Sequence, residues 1–154
     1  MKGKMMTVII NEVTNDNIND ILKLRINEEQ QFFIETTQQC LDEAKACSNF
    51  KPVGLYWENN LVGFAMYGFF PEEGMNGRVW LDRFLIDSNY QGHGFGSIML
   101  NALIHRLERE YNCNEIYLSI IADNEAALHL YKKFAFEFTG EVDSNNEKLM
   151  VKYL

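Results

Sequence analysis

The chain is 154 residues long and 47% hydrophobic, with 2 prolines and 10 glycines. That suits a single domain, residues 1–154, with an ordinary packed core and no linker, repeat or low-complexity stretch. Its formal net charge of −8 disfavours nucleic acid and anionic membrane surfaces, which reward basic patches, and is compatible with a cationic ligand drawn in by a negative field.

No apolar run approaches a membrane span. The amino-terminal "MKGKMMTVII" lacks the long apolar segment and small-residue cleavage site of a signal peptide. The cysteines Cys40, Cys47 and Cys113 are odd in number and include no C-x-x-C pair. They read as small buried hydrophobes in a reducing cytosol, not as a disulfide framework or zinc site. A cytoplasmic location and no metal are the expectations.

"TVIINEV" (Thr7 to Val13) is β-branched and predicts an edge strand. Thr14 or Asn15 can cap a helix on which Ile18, Ile21, Leu22 and Ile26 have helical spacing. A second helix is predicted from about Thr36 to Cys47, with Cys40, Leu41, Ala44 and Cys47 on one side. Val53 to Trp57 and Leu61 to Phe69 form a hairpin about Glu58-Asn59-Asn60. The loop "PEEGMNG" leads to a long strand, Arg78 to Asp87, apolar apart from Asp82 and Arg83. A glycine-rich loop and a helix to about Tyr111 follow, then a strand from Glu115 to Ile121. "DNEAALHLYKKF" is a short helix capped by Asp123 or Asn124, and "FEFTGEV" and "EKLMVKYL" form a terminal hairpin about Ser144-Asn145-Asn146. The order β-α-α-β-β-β-α-β-α-β-β places antiparallel hairpins around a central β-α-β unit. That is an α+β fold with a mixed sheet, not the regular alternation of a doubly wound dinucleotide fold.

The glycine-rich loop is "QGHGFGSIMLNALIHRL", Gln91 to Leu107. Glycines at a helix entry suit an anion, because the backbone can approach closely and the first N–H groups of the helix are free. The loop has no Lys-Ser/Thr of a P-loop, no G-x-G-x-x-G, and no ribose-binding acid at the distance a dinucleotide site requires.

Gln91, Gly94 and Gly96 satisfy Gln/Arg-x-x-Gly-x-Gly/Ala after a strand ending Leu85-Ile86-Asp87. This resembles the acetyl-CoA loop of the GNAT N-acetyltransferase superfamily. Downstream, Asn124, Ala127, Leu130 and Tyr131, followed by "KKFAFEFTG", stand at the spacing of that family. One departure is Ala135, where the family usually has glycine, and a slight shift of the helix stop is expected there. The resemblance extends over essentially the whole chain. Segments such as "KPVGLYWENNLVGFAMYG", "GRVWLDRFLID" and "IYLSI" look most like the bacterial spermine/spermidine acetyltransferases. The implied fold is a mixed, mostly antiparallel sheet of about seven strands flanked by about four helices.

The resemblance also assigns roles. Acetyl-CoA is the implied co-substrate. Residues 92 to 97 offer backbone N–H groups to its pyrophosphate: Gly92, His93, Gly94, Phe95, Gly96 and Ser97, led in by Gln91. Phe84, Leu85 and Ile86 bind its pantetheine arm through backbone, with the N–H of Leu85 the expected oxyanion donor. Asn124 bonds the cofactor, caps its helix, or does both. Tyr131 is the candidate acid toward the leaving thiolate, and Asp82 the candidate base, working through water because an ordinary carboxylate is weakly basic. An aspartate within "VWLDRFLI" is costly to bury without a task or a partner. An ion pair with Arg83 or Arg78 is the structural alternative, although neighbours on a strand ordinarily face opposite ways.

Glu35, Asp82 and Trp80 are the candidate amine-binding residues. Glu28, Glu29, Glu72 and Glu73 are further acids for spaced ammonium groups, and Phe32, Phe33, Tyr56, Trp57, Tyr67 and Phe69 are possible walls for the methylene stems. His93 carries only partial charge toward phosphate at neutral pH, and His105 and His129 are expected at the surface. The implied substrate is a polyamine, spermidine or spermine, with a homodimer suggested by the resemblance alone. Alternatives are another small amine, a protein or peptide amine, or a non-catalytic acyl-CoA-binding module.

Overall fold

The computed structural model describes residues 7–25, 36–121 and 123–154. In chain order its elements are β1 (Val8–Glu12), α1 (Ile18–Leu22), α2 (Thr37–Ala46), β2 (Phe50–Trp57), β3 (Asn60–Phe70), β4 (Arg78–Ile86), a 3-10 turn (Ser88–Tyr90), α3 (Phe95–Tyr111), β5 (Glu115–Ile120), α4 (Glu125–Lys133), β6 (Glu137–Val142) and β7 (Lys148–Tyr153). The order of strands and helices read from the sequence is the order found.

Local chemistry explains most of the boundaries. Thr36 accepts the Gln39 N–H while the Gln39 side chain accepts the Thr36 N–H, a capping box that starts α2. The β2–β3 turn needs only Glu58 and Asn59, both at positive φ (51° and 70°), the backbone of a two-residue hairpin. α1 departs from expectation. Neither Thr14 nor Asn15 caps it; Asn17 holds that position, its Oδ1 accepting the Thr14 N–H at 2.8 Å and so closing the preceding turn. Ile26 lies outside the described residues.

The strands form one sheet in the order β1-β2-β3-β4-β5-β7-β6. Only β4 and β5 run parallel, joined by α3; the remaining neighbours are antiparallel. β7 enters between β5 and β6, leaving β1 and β6 at the edges. Met99, Leu100, Leu103, Ile104 and Leu107 of α3 bury one face of the sheet against Val53, Leu55, Ala65, Tyr67 and Leu81. Ile21 of α1 and Cys40 and Leu41 of α2 bury the other against Phe64, Met66 and Leu85. β3 is thus covered on both sides. Each core leucine or isoleucine contributes about 1.5–3 kcal/mol of transfer free energy. Cys40 is buried, Cys47 and Cys113 are partly buried, and none of the three is in a disulfide.

A β-bulge interrupts β4. Met66 pairs with Arg83 and Tyr67 with Leu81, so Asp82 has no opposite residue on β3. The extra residue changes which side chains face which core. Val79 and Leu81 belong to the α3 side, yet so do Phe84 and Ile86, while Leu85 faces α1 and α2.

Candidate active site

β4 and β5 are in register only at Trp80 and Tyr117. Beyond that point, toward their carboxyl ends, the strands part. The opening is a cavity of about 210 Å³ lined by Phe84, Leu85, Ile86, Tyr90, Gln91, Gly92, Gly94, Phe95, Gly96, Asn124, Ala126, Ala127, Leu130 and Tyr131. It therefore gathers, from β4, the glycine loop and α4, nearly all the residues named for the cofactor. His93 is exposed, and neither it nor Ser97 is part of the lining.

The glycine loop has the geometry of an anion cradle. Gly92 and Gly94 sit at φ 81° and 83°, and a Cβ on either would enter open space. Backbone conformation, not crowding, is what demands glycine. Gly94 takes the N-cap position of α3 with no side-chain cap and no acid in the first turn. The first helical bond is Ile98 N–H to the Gly94 carbonyl at 3.2 Å, so the N–H groups of residues 95 to 97 precede the ladder and favour negative charge. Lys133 Nζ reaches from α4 to Ser97 Oγ at 3.1 Å, adding a cation at this end. Gln91 Nε2 donates to the Ile86 carbonyl at 2.9 Å and braces the loop against β4.

The backbone of β4 bears on which N–H groups can face the opening. Asp87 N–H donates to the Val62 carbonyl at 2.8 Å. In the uninterrupted ladder pairing Ile86 with Gly63 and Leu85 with Phe64, alternation turns the Leu85 N–H toward β3 as well. Leu85 is thus committed to the sheet. The N–H groups facing the parted side are those of Phe84 and Ile86.

Tyr131 is partly buried and makes an edge-to-face contact with Phe136 at 5.7 Å. Burial raises its phenol pKa well above the ordinary value, keeping it neutral and a donor. Asn124 does double duty: it lines the cavity, and its Oδ1 accepts the Ala127 N–H at 3.3 Å to cap α4. The helix stop expected to shift at Ala135 is a complete Schellman motif, with Phe136 N–H to the Tyr131 carbonyl at 3.0 Å and Ala135 N–H to the Lys132 carbonyl at 3.0 Å.

Asp82 and Trp80 lie farther down β4, outside the cavity lining. Asp82 Oδ2 is 3.1 Å from Arg83 Nη1. The bulge overrides strand alternation, which had argued against this pair. Trp80 Nε1 donates to Glu73 Oε1 at 2.8 Å and packs on Tyr117 at 5.6 Å. Tyr67 is fully buried, with its hydroxyl on Glu110, which rules it out as a wall for a substrate stem. Glu35, Glu28, Glu29, Phe32 and Phe33 lie outside the described residues. His105 and His129 are exposed, as expected. Among the described residues no three His, Cys, Asp or Glu side chains cluster to hold a metal, and no helix is long and apolar enough to cross a membrane.

A family model described as "Acetyltransferase (GNAT) family" matches residues 18–136. The chain belongs to the GNAT acetyltransferases. Within that family it is 54% identical over 152 residues to the spermine/spermidine N(1)-acetyltransferase of Bacillus subtilis (strain 168), covering 97% of this chain and 100% of the relative. The same identity and coverage hold for a probable spermine N(1)-acetyltransferase of Bacillus subtilis subsp. natto (strain BEST195). The GNAT fold is shared with a solved aminoglycoside acetyltransferase in complex with coenzyme A, at TM-score 0.79 and 17% identity over 96% of this chain and 95% of that one. It is also shared with spermidine N-acetyltransferase from Vibrio cholerae in complex with CoA and spermine, at TM-score 0.69 and 16% identity over 96% and 94% of the two chains.

The sequence reading of this GNAT chain missed Tyr90, Ala126, Ala127 and Leu130 as cavity walls. Ala127 and Leu130 carried a signal, since with Asn124 and Tyr131 they repeat at helical spacing on α4. Tyr90 carried none. Its place depends on the 3-10 turn, which sets it edge-to-face on Phe95 at 5.7 Å.

Proposed function

We propose that this protein transfers the acetyl group of acetyl-CoA to a primary amine of spermidine or spermine, by direct attack with both substrates bound. The observation that carries the reading is the parted β4–β5 edge, which opens into a cavity with a glycine cradle on one wall and Tyr131 on another. These groups fit a thioester of coenzyme A. The N–H groups at the start of α3 and Lys133 suit pyrophosphate, and the exposed β4 edge suits the amides of the pantetheine arm. Acetyl-CoA supplies an activated acetyl thioester when bound. With acetyl-CoA bound, the N–H groups of Phe84 and Ile86 that face the opening would hold the acyl oxygen while the amine nitrogen bonds the acetyl carbon and the C–S bond breaks; Tyr131 would donate toward the leaving sulfur, and Asp82 would take the proton of the incoming ammonium through water.

The polyamine assignment rests on the Bacillus subtilis relatives, which match across almost the whole of both chains. It agrees with the charge of −8, a field that draws in polycations. In this reading residues 1–154 act as one acetyltransferase domain, cytoplasmic and homodimeric, with Glu35 and Trp80 beside the amine. The test is thiol release from acetyl-CoA across a panel of amines and peptides. Release with spermidine and spermine is expected. Turnover with peptides alone would sink the polyamine reading, and coenzyme A binding without release by any amine would leave a binding module.

A further inference from the structure

Asp87 is the one charged residue buried among the described residues, at 6% exposure. It stands between Ile86, the last residue of β4 to line the cavity, and the 3-10 turn that carries Tyr90. An aspartate at the start of a helical turn ordinarily caps it with its side chain. This one does not cap the turn. Its Oδ1 instead accepts the N–H of Arg25, 62 residues away in sequence, at 2.7 Å. The bond is returned next door, where Ser88 N–H donates to the Arg25 carbonyl at 2.6 Å. Together they clasp the exit of α1 to the root of the glycine loop.

The backbone of Asp87 is engaged as well. Its N–H goes to the Val62 carbonyl at 2.8 Å, and its carbonyl accepts the Tyr90 N–H at 2.8 Å. The residue therefore sets three directions at once: the end of β4, the pitch of the 3-10 turn, and the distance to α1. The turn delivers Tyr90 and Gln91 to the cavity and sets the register of Gly92 and Gly94. A buried carboxylate at the foot of an anion cradle is unfavourable for the anion itself. Its presence is accounted for by what it holds in place.

We propose that Asp87 is a positioning residue for the acetyl-CoA cradle, fixing the glycine loop by accepting the Arg25 N–H. The inference rests on the acetyl-CoA reading above. The operative feature is a carbonyl-type oxygen at the position of Oδ1, not the charge, so Asp87→Asn keeps the clasp and Asp87→Ala removes it.

The experiment measures coenzyme A binding by calorimetry, steady-state KM and kcat for acetyl-CoA with spermidine, and thermal denaturation, on wild type, Asp87→Ala and Asp87→Asn. If wild type fails to bind coenzyme A, the acetyl-CoA reading fails and this inference with it. Given wild-type binding, Asp87→Ala is expected to raise the acetyl-CoA KM and the coenzyme A Kd together by about tenfold, the weight of one intramolecular hydrogen bond. Its kcat should be little changed and its spermidine KM less affected, and Asp87→Asn should restore the wild-type acetyl-CoA KM. A folded Asp87→Ala protein with unaltered acetyl-CoA KM would overturn the proposal. So would an Asp87→Asn protein as impaired as Asp87→Ala, because the charge and not the clasp would then be at work. If Asp87→Ala does not fold, Asp87→Asn against Asp87→Ser decides: retained affinity in Asn with loss in the shorter Ser supports the clasp, and equal affinity in both overturns it.

Discussion

Arg83 Nη1 stands 3.1 Å from Asp82 Oδ2 although the two residues are neighbours on one strand. The bulge that places Asp82 opposite no residue of β3 makes this possible. The same guanidinium lies 4.0 Å from Glu43 of α2, so the pair also ties the bulge to the helix layer. Asp82 is held in a fixed place on the strand that leads to the cavity. As a water-assisted base it should matter to turnover more than to cofactor binding. Asp82→Asn is expected to lower kcat by about 10²–10⁴, the usual range for a general base, with coenzyme A affinity near wild type in calorimetry. Equal losses in both would make Asp82 a structural residue.

Tyr131 gives a pH prediction with a definite sign. Burial raises its pKa, so the phenol stays protonated beyond the ordinary value of about 10. Its contribution to stability is complete below that unfolded-state value and is lost as pH rises through the higher folded-state value. Wild-type kcat should therefore show no basic limb from this group up to about pH 10. Tyr131→Phe should lower kcat while leaving coenzyme A binding intact. A basic limb near neutral pH that disappears in Tyr131→Phe would contradict this assignment.

Ala135 occupies a site built for glycine. It holds φ 68° at the end of α4, inside the Schellman motif, where a Cβ is penalised. Ala135→Gly relieves that strain, offset in part by the greater freedom of glycine in the unfolded chain. The expected net gain is about 0.5–1 kcal/mol, read as a rise in Tm of a few degrees. An unchanged or lower Tm would show that Ala135 is not strained.

Glu110 anchors the end of α3. Lys51 Nζ lies 2.8 Å from its Oε2, while Tyr67 Oη at 2.9 Å and Arg106 Nε at 3.2 Å donate to its Oε1. Burial alone would raise its pKa, but the hydrogen bonds from Lys51, Tyr67 and Arg106 outweigh it and the net shift is downward. The folded state thus prefers the carboxylate. The stabilisation is present above the unfolded value of about 4.3 and is lost as pH falls through the lower folded value. Glu110→Gln should destabilise the protein by about 1–3 kcal/mol at pH 7. Denaturant unfolding curves of mutant and wild type should converge as pH falls below 4 or so.

Much of the fold was legible in the residues because the signals were local. The helix predicted to start at about Thr36 does start there, closed by a Thr36–Gln39 capping box, and Asn124 caps α4 with its own side chain. The glycines at 92 and 94 mark an open loop at a helix entry, and there they take positive φ. Each of these depends on residues a few positions apart. The α1 cap is less legible: Thr14 and Asn17 satisfy each other across a turn, and several polar residues compete for that position. Glu35, the acid expected beside the amine, lies outside the described residues.

What the sequence determined by itself was the list of elements, the glycine cradle and the α4 face bearing Asn124 and Tyr131. Periodicity, caps and turns are written within single segments, and the family's motifs are local too. What only the tertiary structure decided was how segments meet. It placed β7 between β5 and β6, parted β4 from β5 beyond Trp80, and turned the Leu85 N–H into the sheet so that Phe84 and Ile86 face the opening. It also joined Asp82 to Arg83 and Asp87 to Arg25. The physical reason is that strand pairing, one extra residue in a bulge, and a hydrogen bond across 62 positions are settled by packing among distant parts of the chain. No local propensity encodes them.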